Sequence, residues 1–190
     1  LPINKLIVAT NQNDILHRAI SNGCYEVENV FETLSPSMDI QIASNFERLL
    51  YDLNEGEDLQ TIDAMKNIKE KGKYIINQEK LDKINTDFLS ARMSEEEVLK
   101  TISKVYEKFK IVLDPHSAIG YGAFDKINLD GNNIVLATAH PCKFPDAIKK
   151  AINLKEDLPK ELMFVMEEKE NYDILDNDVE KIKQHIKERI

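Results

Sequence analysis

The stretch Leu6-Ile7-Val8-Ala9, followed by Thr10-Asn11-Gln12-Asn13-Asp14, decides the fold class. Four consecutive apolar residues are typical of a strand that is covered on both faces, and the polar residues after them end the strand and can cap a helix. Residues 15–20 then place apolar side chains at helical spacing, and Asn22-Gly23 marks the end of that helix. These patterns predict a strand, a polar loop and a helix in succession.

Strand and helix patterns alternate along the rest of the chain. Residues 134–137 form a second continuous apolar run after the turn at 130–133, which predicts a second buried strand. A shorter strand is predicted at residues 73–77. Amphipathic spacing predicts helices over residues 42–53, 58–71, 79–92 and 94–109, from Ser117 onward, and over 145–152 and 178–190.

Local signals indicate where several helices begin. Ser94-Glu95-Glu96-Glu97 is a capping box, in which the Ser and the last Glu satisfy each other's free amides. Asp114 is expected outside a helix, because the residue before a proline is pushed out of the helical region, whereas Pro145 suits the first position of a helix. The alternation predicts an α/β fold with three α/β/α layers and a mainly parallel sheet. We expect residues 1–190 to form a single domain.

The composition excludes two classes of protein. The 190 residues contain 25 Lys and Arg against 34 Asp and Glu, which gives a net charge of −9. The basic stretches at 66–73 and 181–189 are interleaved with Glu and apolar residues, so they do not provide the clustered basic surface that a nucleic acid needs. No apolar run approaches the roughly 20 residues of a membrane-spanning helix, and the start lacks the pattern of a signal peptide. We therefore expect a soluble, cytoplasmic protein.

The cysteines, the histidines and the first residue carry further expectations. Cys24 and Cys142 are too few and too far apart for a disulfide framework or a metal-binding knuckle, which predicts two reduced thiols. The four histidines have no partners at metal-ligand spacing, so no metal is expected. Because the sequence starts at Leu1 and reaches a strand pattern almost at once, we expect it to be part of a longer protein.

Two loops are the expected ligand-binding positions. Ligands bind beyond the carboxyl ends of the strands in a mainly parallel sheet, which selects residues 10–14 and 138–144. The second loop holds a hydroxyl, an imidazole and an ammonium, and the helix start at 114–117 adds another imidazole and hydroxyl. There is no glycine-rich phosphate loop and no nucleophile elbow. On the residues alone, these groups could instead serve as turns, helix caps and surface ion pairs.

Five blocks of sequence carry a resemblance to a known family. They are Asn11-Gln12-Asn13-Asp14-Ile15-Leu16, Thr33-Leu34-Ser35-Pro36-Ser37-Met38-Asp39-Ile40, Ser44-Asn45-Phe46-Glu47-Arg48-Leu49-Leu50, Asp114-Pro115-His116-Ser117-Ala118 and Leu136-Ala137-Thr138-Ala139-His140-Pro141-Cys142-Lys143-Phe144-Pro145. In this order and at this spacing they resemble threonine synthase, but only its C-terminal part. The resemblance implies a pyridoxal-phosphate enzyme of fold type II that converts O-phospho-L-homoserine and water into L-threonine and phosphate.

The matched region leaves out part of the family's machinery. The Schiff-base lysine, in a Phe-Lys-Asp type segment, and the loop that holds the cofactor phosphate both lie upstream of it. We therefore expect no catalytic lysine in these 190 residues, no activity and no bound cofactor in the isolated chain, and a partner in the missing N-terminal part. Two alternatives remain: a threonine-synthase-like phospholyase, which releases phosphate without making threonine, and a non-catalytic remnant that binds or complements another chain.

The resemblance also implies site residues. It places Thr138 opposite the pyridine nitrogen of the cofactor, where a neutral hydroxyl does not favour protonation of that nitrogen. The candidates for the substrate side are His116, Ser117, His140, Lys143, Asn11, Asn13 and Arg48. Because the substrate phosphate is a dianion and the chain is acidic, binding requires a local cluster of Arg, Lys and imidazole. For Arg48, a structural ion pair is an equally good expectation.

Overall fold

The computed structural model of the chain describes residues 2–190. The chain divides into two compact units, Leu1–Glu156 and Asp157–Ile190. The expected single domain over residues 1–190 stays a prediction. The residues that carry the resemblance to threonine synthase all lie in the first unit, which is therefore the part that positions the site.

The first unit alternates short strands with helices. Its elements are β1 (Leu6–Thr10), α1 (Ile15–Asn22), β2 (Cys24–Glu26), α2 (Phe46–Leu53), α3 (Asp58–Lys71), β3 (Lys73–Ile75), α4 (Gln78–Asp87), β4 (Phe88–Arg92), α5 (Glu95–Phe109), α6 (Pro115–Ile127) and α7 (Pro145–Ile152), with 3-10 turns at Pro36–Met38 and Pro141–Lys143.

A parallel pair of strands forms the centre of the unit. β1 pairs with β4 in a register that places Leu6 opposite Phe88 and Thr10 opposite Arg92, and β2 pairs antiparallel with β3. Val8 packs in one core and its neighbour Ala9 in another, because successive side chains of a strand point to opposite faces. The parallel pair therefore has helical layers on both faces, and the predicted α/β class is confirmed.

Two predicted elements are wrong. The helix expected over residues 79–92 ends at Asp87, since Phe88–Arg92 is instead the strand that pairs with β1. Residues 134–137 form no strand: Ile134 is 87% and Leu136 is 73% exposed. A strand needs a neighbouring backbone to accept and donate its hydrogen bonds, and within residues 2–190 this segment pairs with no other strand.

The sequence signals for the ends of helices are confirmed, except that one helix begins earlier than expected. Ser94 and Glu97 form the capping box of α5, and Gly23 ends α1 in a left-handed conformation with φ of 74°. α6 begins at Pro115, two residues before the expected start at Ser117, because Asp114 takes an extended conformation and caps the helix with its side chain. This shift matters for the site, since it makes Asp114 the N-cap.

Two apolar cores support the unit. The first is built on α1 to α4, and in it the rings of Tyr25 and Phe46 stack with their centroids 4.6 Å apart. The Tyr25 hydroxyl also accepts a hydrogen bond from the Ala43 N–H, which fixes the chain just before α2. The second core joins α5, α6 and α7 through Val98, Ile119 and Ile148 among others. Its members Ala118 and Ile119 follow directly after His116 and Ser117 on α6.

The second unit is short and open. It contains a 3-10 segment at Lys160–Met166 and α8 at Val179–Lys187, whose first turn is capped by the Asp178 side chain. None of the residues that the structure describes in this unit is buried. Across residues 2–190, no helix combines the length and the apolar content that crossing a membrane requires.

His17 gives a prediction about pH. Burial lowers the pKa of its imidazole more than the Asp14 carboxylate raises it, and Nδ1 lies 2.9 Å from the Ser90 Oγ. The unfolded chain, with a histidine pKa of about 6.5, then binds a proton more readily than the folded chain, so the free energy of unfolding falls as the pH drops below about 6.5. Urea unfolding across this range should show a smaller fall for His17→Gln; equal slopes would contradict the prediction.

Candidate functional site

The loop after β1 is held by a network of buried polar side chains. The Asn11 Nδ2 lies within hydrogen-bonding distance of three oxygens, the Thr33 Oγ1 (2.9 Å), the Ser35 Oγ (2.9 Å) and the Asp39 Oδ1 (2.7 Å), and the Asn11 Oδ1 accepts from the Asn13 N–H. The Asn13 side chain in turn donates to Asp39 and pairs with the Phe31 backbone. Both asparagines are buried. They therefore fasten two loops together.

Asp39 is the main acceptor of this network. Its Oδ1 accepts from the side chains of Asn11, Asn13 and Thr33, and its Oδ2 accepts from the Thr33 N–H at 2.8 Å. Hydrogen bonds to an ionised acceptor are the stronger kind, because the charge adds to the interaction. Asp39 lies within one of the five blocks but was not a predicted site residue. Nothing local in the sequence links it to Asn13 and Asn11, which precede it by 26 and 28 residues.

A second network lies at the start of α6. Each oxygen of the Asp114 carboxylate accepts two hydrogen bonds. The Oδ1 atom accepts from the backbone N–H and from the Nδ1 of His116, and the Oδ2 atom accepts from the backbone N–H and from the hydroxyl of Ser117. Asp114 is only 1% exposed, so these four donors replace water as its solvation. Asp114 was not among the predicted site residues, although an Asp directly before Pro and a helix is a recognisable N-cap signal.

His116 is oriented from both sides. Its Nδ1 lies 2.9 Å from the Asp114 carboxylate, which can only accept, so Nδ1 carries the proton. Its ring packs against the Phe144 ring with centroids 4.8 Å apart. The Nε2 atom is buried and has no hydrogen-bond partner among the described residues. His116 thus has one nitrogen committed to the fold and one that is shielded from solvent.

Ser117 links α6 to the loop that begins at Thr138. Its hydroxyl donates to Asp114 and accepts a hydrogen bond of 3.0 Å from the Thr138 backbone N–H. Ser117 is 3% exposed, whereas the Thr138 side chain faces solvent. Within residues 2–190 the Thr138 hydroxyl makes no hydrogen bond, and it therefore remains free to bind a ligand atom.

The loop continues through His140 and Lys143. The His140 Nδ1 accepts from the Cys142 N–H at 3.2 Å and so caps the 3-10 turn at Pro141–Lys143. A lone pair on Nδ1 leaves the proton of the neutral imidazole on Nε2. Both His140 and Lys143 are exposed, and neither forms an ion pair with the other described residues. The loop therefore presents a hydroxyl, an N–H donor and an ammonium.

The predicted site residues fall into three groups. His116, Ser117, Thr138, His140 and Lys143 come together around the start of α6. Asn11 and Asn13 follow β1, which packs on α6. Arg48 lies apart from both groups, on α2, which packs against α3 and α4. It lines an open groove together with Ser44, Glu47, Tyr51, Asp52, Asp58, Thr61 and Ile62.

The surroundings of Arg48 do not suit an anion. Glu47, Asp52 and Asp58 line the same groove, so Arg48 is outnumbered by carboxylates there. Among the described residues Arg48 forms no ion pair, so the structural ion pair, like the contact with phosphate, stays a prediction.

Known proteins resemble this chain in sequence and in fold. A family model described as "Threonine synthase, C-terminal" matches residues 117–186. The threonine synthase of Pseudomonas aeruginosa is 38% identical over 98% of this chain, and that of Saccharomyces cerevisiae is 38% identical over all of it. The crystal structure of pyridoxal-phosphate-bound threonine synthase from Brucella melitensis is 40% identical over 99% of the chain, with a TM-score of 0.86. This match agrees with the predicted fold class.

The matches also define what the chain leaves out. It spans 40% of the length of the Pseudomonas aeruginosa protein, 42% of the Saccharomyces cerevisiae protein and 41% of the Brucella melitensis chain. The complete relatives are thus more than twice as long as these 190 residues.

Proposed function

We propose, on the premise that the chain matches the C-terminal part of threonine synthases in sequence and in fold, that it completes the active site of an enzyme that converts O-phospho-L-homoserine and water into L-threonine and phosphate. The observation that supports this most directly is the exposed, unpartnered Thr138 hydroxyl, whose backbone is held by the buried Ser117. The isolated chain is inactive in this proposal, because the Schiff-base lysine belongs to the other part.

The chemistry of Thr138 fits pyridoxal phosphate. A neutral hydroxyl can hydrogen-bond the pyridine nitrogen without the charge that would favour its protonation. Pyridoxal phosphate, when bound, supplies the electron sink that stabilises a carbanion at the substrate. The contribution of this chain is to hold the hydroxyl at that nitrogen and to close one side of the site.

The exposed groups of the loop suit a phosphate-bearing substrate. Lys143 and His140 lie within five residues of Thr138, and both present donors to solvent. Cationic and N–H donors bind a phosphate dianion with charge-assisted hydrogen bonds. We therefore assign direct contact with the phosphate to Lys143 and His140.

The buried candidates have a different role in this proposal. Asn11, Asn13, His116 and Ser117 already spend hydrogen-bonding groups on the protein itself. They shape the walls that carry Thr138 and Lys143, and a substrate contact by His116 would require the side chains around its Nε2 to move.

The missing N-terminal part is the proposed partner. Residues 134–137 lead directly into Thr138, yet Ile134 and Leu136 expose their apolar side chains, and within residues 2–190 no strand pairs with this segment. An extended apolar segment with free backbone groups can add to the edge of another sheet. A cytoplasmic location is part of the same proposal.

Reconstitution tests this function. The chain is mixed with a separately produced polypeptide that comprises the remaining N-terminal part of the Pseudomonas aeruginosa threonine synthase, and pyridoxal phosphate and O-phospho-L-homoserine are added. Release of phosphate and formation of threonine are expected for the mixture, and neither for the two parts alone. Phosphate with a keto acid in place of threonine would support the phospholyase, and a stable complex without turnover would support the non-catalytic remnant.

A matched pair of lysine variants checks the site within the same assay. Lys143→Ala should raise KM about 10-fold, since it removes a charge-assisted contact of about 1.5 kcal/mol. Lys150→Ala removes another exposed lysine, on α7, and should leave KM unchanged. Equal effects of the two variants would contradict the assignment of Lys143.

A further inference from the structure

Thr138 is an exposed residue on a segment without regular structure, yet the proposed function requires its hydroxyl to stay in one place. We propose that Ser117 and Asp114 are positioning residues that hold Thr138 through its backbone N–H. The relevance of this to catalysis rests on the proposed function; the positioning itself concerns only the residues of this chain.

The direction of the Ser117 hydroxyl is fixed by its neighbours. The Asp114 carboxylate can only accept, so the Ser117 hydroxyl points its hydrogen toward the Asp114 Oδ2. The lone pairs of the Ser117 Oγ are then available to the Thr138 N–H, which lies 3.0 Å away. Both Ser117 and Asp114 are buried, so water does not compete for these bonds.

A second contact supports the same arrangement. Val135 packs against Gly120, where a Cβ atom would stand only 3.2 Å from the Val135 Cγ1. Gly120 follows Ser117 by three residues on α6, and Val135 precedes Thr138 by three residues, so the segment runs alongside the helix in the opposite direction. Residues three apart lie on the same face of a helix. One face of α6 therefore holds the segment at two points.

One carboxylate thereby sets several groups at once. The Oδ1 of Asp114 orients His116, and its Oδ2 orients Ser117 and, through it, Thr138. These bonds connect the start of α6 with the loop that carries the proposed cofactor partner. The Ser117 hydroxyl donates its one proton to Asp114 and is buried, so its role is to position Thr138 rather than to touch the substrate.

Amide hydrogen exchange tests the positioning in the 190-residue chain without cofactor or partner. By NMR, the Thr138 amide should be protected, although its side chain is exposed. In Ser117→Ala its exchange should accelerate about 10-fold, as expected for the loss of one hydrogen bond. Ser117→Thr keeps a hydroxyl and should restore protection.

Ser103→Ala is the matched control. The Ser103 hydroxyl also joins a helix to a backbone group far along the chain, since it donates to the Ala151 carbonyl at 2.6 Å. Among the described residues it forms no hydrogen bond with Thr138, whose N–H donates to Ser117. This variant should leave exchange at Thr138 unchanged, and the amides of Ile102 and Leu50 should stay protected in every variant because both residues lie in the cores. An unprotected Thr138 amide in the original chain, or equal acceleration in Ser117→Ala and Ser103→Ala, would overturn the proposal.

The reconstituted enzyme supplies a second readout. Ser117→Ala should lower kcat about 10-fold and leave KM unchanged, because Thr138 faces the cofactor and not the substrate phosphate. An unchanged kcat would overturn the assignment of Ser117 as a positioning residue for the reaction. If no combination of the two parts turns over substrate, the proposed function fails, while the exchange result still decides whether Ser117 holds Thr138.

Discussion

Replacing Asp114 with alanine should lower the free energy of unfolding by about 3–5 kcal/mol. The carboxylate caps α6, and loss of an N-cap costs about 1 kcal/mol. Apart from the two backbone N–H groups of the cap, the carboxylate accepts from the His116 Nδ1 and from the Ser117 hydroxyl. Each donor that is left buried without a partner adds a further cost of about 1–3 kcal/mol, reduced where the site can relax.

Urea unfolding of the purified chain measures this loss, with Asp114→Asn as the matched control. Asparagine is as good an N-cap as aspartate and keeps one acceptor oxygen, so this variant should lose only about 1–2 kcal/mol. A loss below about 1 kcal/mol in Asp114→Ala would show that the four hydrogen bonds contribute little. The measured difference between the two variants separates the cap from the rest of the network.

Features of the fold that depend on residues close together in the sequence could be predicted from it. Three such features occur where expected: the capping box at Ser94, the glycine that ends α1, and Pro145 as the first residue of α7. Each depends only on residues within one or two helical turns. Phe88–Arg92 was missed for the opposite reason: its apolar residues continue a helical spacing, and only pairing with β1 makes it a strand.

The site shows the same division between residue types and contacts. The kinds of groups in the loop at 138–144 could be predicted from the end of an apolar run, although that run is not a strand in this chain. The bond between Ser117 and Thr138 spans 21 residues and the bond between Asn11 and Asp39 spans 28, and no local pattern specifies either. Arg48 illustrates the same limit, since its acidic neighbour Asp58 comes from a different helix, α3.

Asn11→Asp should lower the free energy of unfolding by a similar amount at neutral pH, about 3–5 kcal/mol. The substitution hardly changes the shape of the side chain, but it replaces the donor Nδ2 by an acceptor oxygen. That position lies 2.7 Å from the Asp39 Oδ1 and 2.9 Å from the Ser35 Oγ. Two carboxylates would then face each other where Asn11 is fully buried, and neither repulsion nor desolvation is relieved by water.

The loss in this variant should depend on pH. Repulsion by Asp39 and burial both raise the pKa of the introduced carboxyl above its value in the unfolded chain. The folded variant then binds a proton at this carboxyl more readily than the unfolded one. Its loss of stability relative to the original chain therefore shrinks as the pH falls from about 7 toward about 5. Protonation also restores a donor at the position of the amide Nδ2, and the variant should approach the original chain.

Asn11→Ala provides the uncharged comparison for this series. It removes the same hydrogen bonds but adds no titrating group, so its loss of stability relative to the original chain should stay constant over the same pH range. Urea unfolding of the three proteins at several pH values distinguishes the two causes. If Asn11→Asp and Asn11→Ala lose the same amount at every pH, the network around Asp39 tolerates a second charge. The loss in both variants would then come from the removed Nδ2 donor alone.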